Sequence, residues 1–180
     1  MPSGYVFATL YDCKSSINIL DNEKYNYSNL GTCIHDIFCT IENKTEQEIS
    51  NMIKNYGFEK NVTNPTDIKN SWEGLIEFLK EKYGEAIKQY HELPFKHKLQ
   101  TGQIVTGSMD FVWETSKGCV LVDYKTFPGD KEELIDENSE YFVGKYKGQM
   151  DCYENALTAG GKKVLAKLLF YPVVGVISEI

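Results

Sequence analysis

Cys119-Val120-Leu121-Val122-Asp123-Tyr124-Lys125-Thr126 is the stretch that decides how this chain is read. Its first four residues are apolar without interruption, the pattern of a strand covered on both faces. Ser116-Lys117-Gly118 in front of it is a turn signal, which bounds the run at strand length. The run then closes on charge. Side chains alternate across a strand, so Asp123 and Lys125 point to one side and Tyr124 to the other. Burying such charges costs several kcal/mol unless they are paired or bind a metal, so polar residues closing an apolar strand need a reason.

Two further strands are expected upstream, at residues 90–99 and 103–114, separated by Thr101-Gly102. The second contains Gly107-Ser108-Met109-Asp110-Phe111, which puts a second carboxylate, Asp110, on the strand next to Asp123. Farther upstream the periodicity becomes helical. Leu30, Ile34, Ile37, Phe38 and Ile41 recur at three- and four-residue steps, with Gly31 and Thr32 marking the start. Thr45 and Glu48 have capping-box spacing ahead of Ile49, Met52 and Ile53, and residues 66–83 repeat the pattern through Ile68, Trp72, Leu75, Ile76 and Leu79.

Downstream, residues 127–138 are acidic and hold Pro128 and Gly129, the composition of a loop. A helix is expected over 140–157, stopped by Gly160-Gly161, and a last strand over 164–174. The order of helices, three strands, helix and strand predicts an α/β fold with a mixed central sheet of four or five strands flanked by helices. The 180 residues fit a single domain, with a helical part at about 30–84 and a sheet and helix at about 90–180.

The composition, 42% hydrophobic and 25% charged, is that of a soluble globular chain. The N-terminus lacks a basic start followed by an apolar stretch, and no run of about 18 apolar residues occurs, so a cytoplasmic protein without membrane contact is expected. Five cysteines (Cys13, Cys33, Cys39, Cys119, Cys152) form no CxxC pair; they read as reduced and mostly buried, Cys33 and Cys39 as small core residues. The net charge of −7 has the wrong sign for gripping nucleic acid by overall charge. Any DNA contact must then be local, through lysine groups such as Lys145, Lys147, Lys162, Lys163 and Lys167, for which a solvated surface is the plainer explanation.

Carboxylates on adjacent strands beside a lysine suit phosphodiester hydrolysis: oxygen ligands hold Mg²⁺ against a phosphate, and the lysine orients or helps deprotonate the attacking water. An ordinary surface Asp–Lys pair at a strand end accounts for Asp123 and Lys125 equally well on spacing alone.

Four motifs together change the weighing: Gly31-Thr32-Cys33-Ile34-His35, Gly107-Ser108-Met109-Asp110, Val122-Asp123-Tyr124-Lys125-Thr126 and Tyr146-Lys147-Gly148-Gln149-Met150-Asp151-Cys152-Tyr153. In this order, and on a helix, two strands and a helix, the series resembles the PD-(D/E)xK nucleases, most closely their RecB-like branch. The resemblance runs from about Leu30 to the chain end. It implies a restriction-endonuclease-like fold with the site at one sheet edge, and cleavage of DNA with Mg²⁺ or Mn²⁺. His35, Asp110 and Asp123 become metal ligands and Lys125 the catalytic lysine.

By the same resemblance Gln149 and Tyr153, which share a helical face, border the site and contact DNA. Tyr124 is the aromatic customary between Asp and Lys, with packing against the core as its alternative. Glu92, in His91-Glu92-Leu93-Pro94-Phe95, resembles a glutamate that opens the first strand in many relatives. His91 and His97 match no motif position and read as surface residues. The cysteine spacing of the iron–sulfur members is absent, so no iron–sulfur cluster is expected. No GxxxxGK[ST] loop is present, so a helicase motor would be a separate segment or subunit. The role implied is an exonuclease working with a helicase in DNA repair or recombination. A standalone phage-type or restriction-like nuclease, and a non-catalytic DNA-end-binding module, are the alternatives.

Overall fold

In the computed structural model, residues 8–20, 26–99, 101–127 and 129–180 are described. A mixed sheet of six strands forms the centre, in the order β1-β6-β5-β4-β3-β2. The strands are β1 (Thr9–Asp12), β2 (Lys88–Lys98), β3 (Ile104–Thr115), β4 (Gly118–Tyr124), β5 (Val164–Tyr171) and β6 (Val176–Glu179). All neighbours are antiparallel except β4 and β5, which run parallel because α4 (Lys147–Ala159) lies between them in the chain. The helices α1 (Tyr27–Phe38), α2 (Glu46–Asn55) and α3 (Pro65–Tyr83) precede β2. This is the restriction-endonuclease-like α/β arrangement expected, with one strand more than the four or five anticipated. The additional strand is β1, four residues pairing with β6; Thr-Leu-Tyr-Asp is too short to show alternation.

Two apolar clusters clasp the sheet. Leu30, Ile34, Phe38, Ile49, Ile68, Trp72 and Leu75 from α1, α2 and α3 meet Phe111, Trp113, Val120, Val122, Tyr124, Leu168 and Phe170 on one face. Met150, Tyr153 and Leu157 of α4 meet Val112, Leu121, Leu169 and Tyr171 on the other. Strand β4 contributes Val120 and Val122 to one cluster and Cys119 and Leu121 to the other, which is why its sequence is apolar at every position from Cys119 to Val122.

Helix boundaries follow capping chemistry. The Thr45–Glu48 capping box is present at α2, and Asn64 with Pro65 starts α3. Helix α1 begins earlier than Gly31 because Asn26 caps it, its side chain accepting from Ser28 and Asn29. Gly31 is therefore inside the helix, where a Cβ would come within 3.3 Å of Thr126 Oγ1; close approach to the end of β4 explains it. Helix α4 starts at Lys147, after a 3-10 turn at Val143–Tyr146, rather than at residue 140. The loop expected over 127–138 contains a short 3-10 turn, Lys131–Leu134, with Leu134 buried; Pro128 lies outside the described residues. Among the described residues no helix is long and apolar enough to cross a membrane.

Candidate active site

Strands β2 and β3 share a feature that alternation does not predict. On β3, Met109 packs on the α4 side although Phe111 and Trp113 pack on the other. On β2, Tyr90 lies on the α4 side, His91 meets Trp72 and Phe111 across the sheet, and Leu93 and Phe95 return to the α4 side. Both strands thus reverse facing at one rung. His91 pairs with Phe111 and Leu93 with Met109, so the reversal falls on Glu92 and Asp110. Glu92 has φ 49°, making it the one non-glycine residue with positive φ among the described residues. Such backbone is strained by order 1–3 kcal/mol and persists where surrounding structure enforces it, often at functional positions.

The reversal turns Glu92 and Asp110 toward α1. His35 Nε2 lies 2.8 Å from Glu92 Oε1 and 3.2 Å from Asp110 Oδ1. The other Asp110 oxygen accepts the Tyr124 backbone N–H at 2.8 Å, just past Phe111–Val122, the last β3–β4 pair. Asp110 therefore ties the parting end of β4 to β3 with one oxygen and faces His35 with the other. Ser108 donates to Glu92 Oε2.

Asp123 points to the opposite side of β4 from Tyr124, and its side chain is 2% exposed. Gln149 of α4 donates to Asp123 Oδ1 at 2.9 Å. Lys125 Nζ stands 2.6 Å from Asp123 Oδ2, a close ion pair. Lys125 in turn donates to Gln149 Oε1 at 3.2 Å and sits 4.4 Å from the Tyr146 ring centroid. Gln149 also donates to the Tyr153 hydroxyl at 2.6 Å.

Burial first, then the nearby Asp110 charge, push the Asp123 carboxyl up to about 6; Lys125 opposes them incompletely. The hydrogen bond to Asp110, then the contact with Cys39, push His35 up to about 10. The cluster of Glu92, Asp110 and Asp123 against Lys125 and a protonated His35 thus carries an excess of carboxylate. Carboxylate oxygens and one imidazole are donor types that divalent cations such as Mg²⁺ or Mn²⁺ accept; among the described residues, the group whose ligand atoms all lie within 4.8 Å of one another is His35, Cys39 and Glu92.

The four motifs converge here, at the end of β4 and across β3 toward the edge strand β2. The Tyr124 ring is buried among Phe38, Trp72 and Phe170, with its centroid 5.5 Å from that of His35. It shares a cavity of about 200 Å³ with Gly31, Thr32, Ile34, His35 and Thr126. A larger groove of about 660 Å³, lined by Ile41, Trp72 and Ile76, holds none of the cluster.

Three sequence readings need correction. His91 is a half-buried residue flanked by Trp72 and Phe111 at 5.5 and 4.9 Å, and burial lowers its pKa; its cross-strand pairing with Phe111 draws it in. His97, on the same strand, is also only partly exposed. Of the five cysteines, which are free thiols, only Cys33 and Cys119 are buried. Cys39 stands beside the site, 3.9 Å from both His35 Nδ1 and Glu92 Oε1. Its spacing of four from His35 was the available signal. Tyr146, placed against Lys125 by the turn before α4, opens the fourth motif but was given no role there.

No family model matches the chain. Curated relatives do. An ATP-dependent helicase/nuclease subunit from Lactobacillus johnsonii is 28% identical over 180 residues, covering 83% of this chain and 14% of that protein. The protein of the same name from Anoxybacillus flavithermus is 28% identical over 106 residues, 55% of this chain and 8% of its own length. That of Lactobacillus delbrueckii subsp. bulgaricus is 40% identical over 70 residues, 37% of this chain and 5% of its own. Among solved structures, SSO0001 matches at a TM-score of 0.30 and 17% identity, over 84% of this chain and 65% of that one, too remote to bear on function. The chain thus spans about one-seventh, 14%, of the first of these relatives, and it is similar in sequence, at low identity, to a stretch of the ATP-dependent helicase/nuclease subunits.

Proposed function

We propose that this chain is one divalent-metal-dependent DNA nuclease domain of the PD-(D/E)xK, RecB-like kind, acting as an exonuclease with a helicase segment or subunit in DNA repair. One observation carries the reading. Asp123 is buried beside a second carboxylate at the parting end of two strands, and Lys125, though 2.6 Å away, does not offset burial and the second carboxylate together. A structural ion pair has no use for the second carboxylate, whereas a metal-dependent hydrolase does. The similarity to the helicase/nuclease subunits supports the same reading.

His35, Asp110 and Asp123 would hold Mg²⁺ or Mn²⁺, with Glu92 beside them. When bound, the cation supplies Lewis-acid stabilisation of charge on the phosphate and a more acidic water. Lys125 sits on the same side of β4 as Asp123 and orients the attacking water or meets the phosphate's negative charge. Gln149 holds Lys125 with its carbonyl and Asp123 with its amide, so both groups are fixed before substrate arrives. Tyr153 fixes Gln149 from the next helical turn, and both border the DNA path. Tyr124 fixes Asp110 through its backbone N–H, and its ring, packed among Phe38, Trp72 and Phe170, backs the cavity bounded by Gly31, Thr32 and Thr126.

The test is cleavage of labelled duplex and single-stranded DNA by the purified chain with Mn²⁺. Cleavage by the native chain and its loss in Asp123→Asn and Lys125→Ala is the expected result. Cleavage persisting in both variants would overturn the mechanism.

A further inference from the structure

Cys39 closes α1 as its C-cap residue, one helical turn after His35, so the two side chains share a face of the helix. Cys39 Sγ lies 3.9 Å from His35 Nδ1 and 3.9 Å from Glu92 Oε1, and ligand atoms of the three residues lie within 4.8 Å of one another. A tetrahedral zinc ion with sulfur at about 2.3 Å and nitrogen or oxygen at about 2.0 Å has ligand-to-ligand edges of roughly 3.3–3.6 Å. Closing the present distances to those edges needs shifts of about 1.5 Å or less, which side-chain torsions supply. The Glu92 side chain is 39% exposed, leaving an open side for a water as fourth ligand.

The donor chemistry is selective. A thiolate, an imidazole and a carboxylate suit zinc-class cations, while Mg²⁺ takes oxygen and does not recruit a thiol. The reversed rung and positive φ of Glu92 bring the carboxylate to the sulfur; a glutamate in ordinary strand geometry would face away from α1.

We propose that His35, Cys39 and Glu92 form a site for a thiophilic divalent cation of the zinc class, whose occupation inhibits cleavage by engaging His35. Binding takes the proton from the Cys39 thiol and any proton on His35 into solvent, and forms metal bonds to Sγ, an imidazole nitrogen and a Glu92 oxygen. The site is defined by its own three side chains. Its inhibitory consequence rests on the nuclease reading above, because His35 is the ligand shared with the Mg²⁺ or Mn²⁺ centre.

The two parts are separable by experiment. The reduced full chain is titrated with Co²⁺ alone, following the near-ultraviolet thiolate-to-cobalt charge-transfer band, and Zn²⁺ is then added. The expected result is a band that Zn²⁺ abolishes, that is missing in Cys39→Ser and Cys39→Ala, and that persists in Cys13→Ser and Cys152→Ser. No band in the native chain, or an undiminished band in both Cys39 variants, would overturn the site. Inhibition is read as the Zn²⁺ concentration that halves Mn²⁺-dependent cleavage. It should rise at least tenfold in Cys39→Ser with cleavage in the absence of zinc unchanged; an unchanged value would overturn the inhibitory role. If the native chain cleaves nothing while the cobalt band behaves as expected, the nuclease reading fails and the thiophilic site stands.

Discussion

Two groups of lysines and carboxylates flank α4, and they are built to opposite ends. On its outer side Asp151 is 2.6 Å from both Lys147 and Lys167, and Lys167 also reaches Glu154 at 2.8 Å. Two cations meet two anions. Burial works against the Asp151 carboxylate, but the hydrogen bonds from the two lysines outweigh it and hold its pKa below the ordinary value. At the end of β4, burial and Asp110 push Asp123 the other way, to about 6, with Lys125 in contact. An Asp–Lys contact is therefore no guide to role. The deciding quantity is whether neighbouring charges leave the carboxylate more or less comfortable than in water, and only the Asp123 cluster is left in deficit of positive charge.

The largest expected difference between the two groups is in catalysis. Lys125→Ala should lower Mn²⁺-dependent cleavage by on the order of a hundred- to a thousandfold. Lys167→Ala should leave it within a few-fold, as measured by initial rates on labelled DNA. Equal losses in both would erase the distinction between a catalytic lysine and a structural one.

Stability should separate the groups by sign. The folded chain holds a proton on Asp123 after the unfolded chain has released it, so the metal-free protein loses stability as pH rises from about 4 to about 6. The shift from 3.8 to about 6 corresponds to at most roughly 3 kcal/mol. Asp123→Asn should then raise the metal-free melting temperature at pH 7, by up to several degrees at about 2–4 °C per kcal/mol. Asp151, with its lowered pKa, contributes stability present above its unfolded pKa and lost as pH falls through the folded value. Asp151→Asn should therefore lower the melting temperature slightly. Thermal melts of both variants at pH 4 and pH 7 check the pair of signs.

A smaller pH effect concerns metal binding. Metal-free His35 keeps its proton up to about 10, so its charge supports the fold fully below 6.5 and is lost as pH rises through that higher value. A metal must displace the proton. Mn²⁺ affinity, by titration calorimetry, should thus rise with pH between about 6 and 9. The smallest effect belongs to the lysine surface: Lys147 is committed to Asp151, whereas Lys145 has no ion-pair partner among the described residues. Lys145→Ala should weaken DNA binding a few-fold and flatten its salt dependence, and Lys147→Ala should do less.

The sheet from β2 to β5 was legible in the sequence because β4 is uninterruptedly apolar from Cys119 to Val122 and turn residues bound the runs around it. The cap at Thr45 was legible for the same reason, a local chemical signal. Strand β1 was not, since four residues cannot display a period, nor was the start of α1, where the Gly-Thr pair lies inside the helix and Asn26 does the capping. In the site, the alternation of Asp123, Tyr124 and Lys125 was readable directly, and the involvement of His35 and Gln149 only through the motif series. The nearness of Glu92 to His35 depends on a reversal of facing shared by two strands, which no single strand's pattern reveals. Cys39 depends on that same reversal.

The most direct test of the account is a Mn²⁺ titration of the metal-free chain and of Asp123→Asn, by calorimetry at pH 7.5, with the fold of each verified by circular dichroism. The account predicts weak binding to the native chain and its loss in the variant, alongside the variant's higher metal-free melting temperature. A folded native chain that binds no Mn²⁺ at about millimolar concentration, or a variant that binds it equally well, would contradict the assignment of Asp123 to a metal centre.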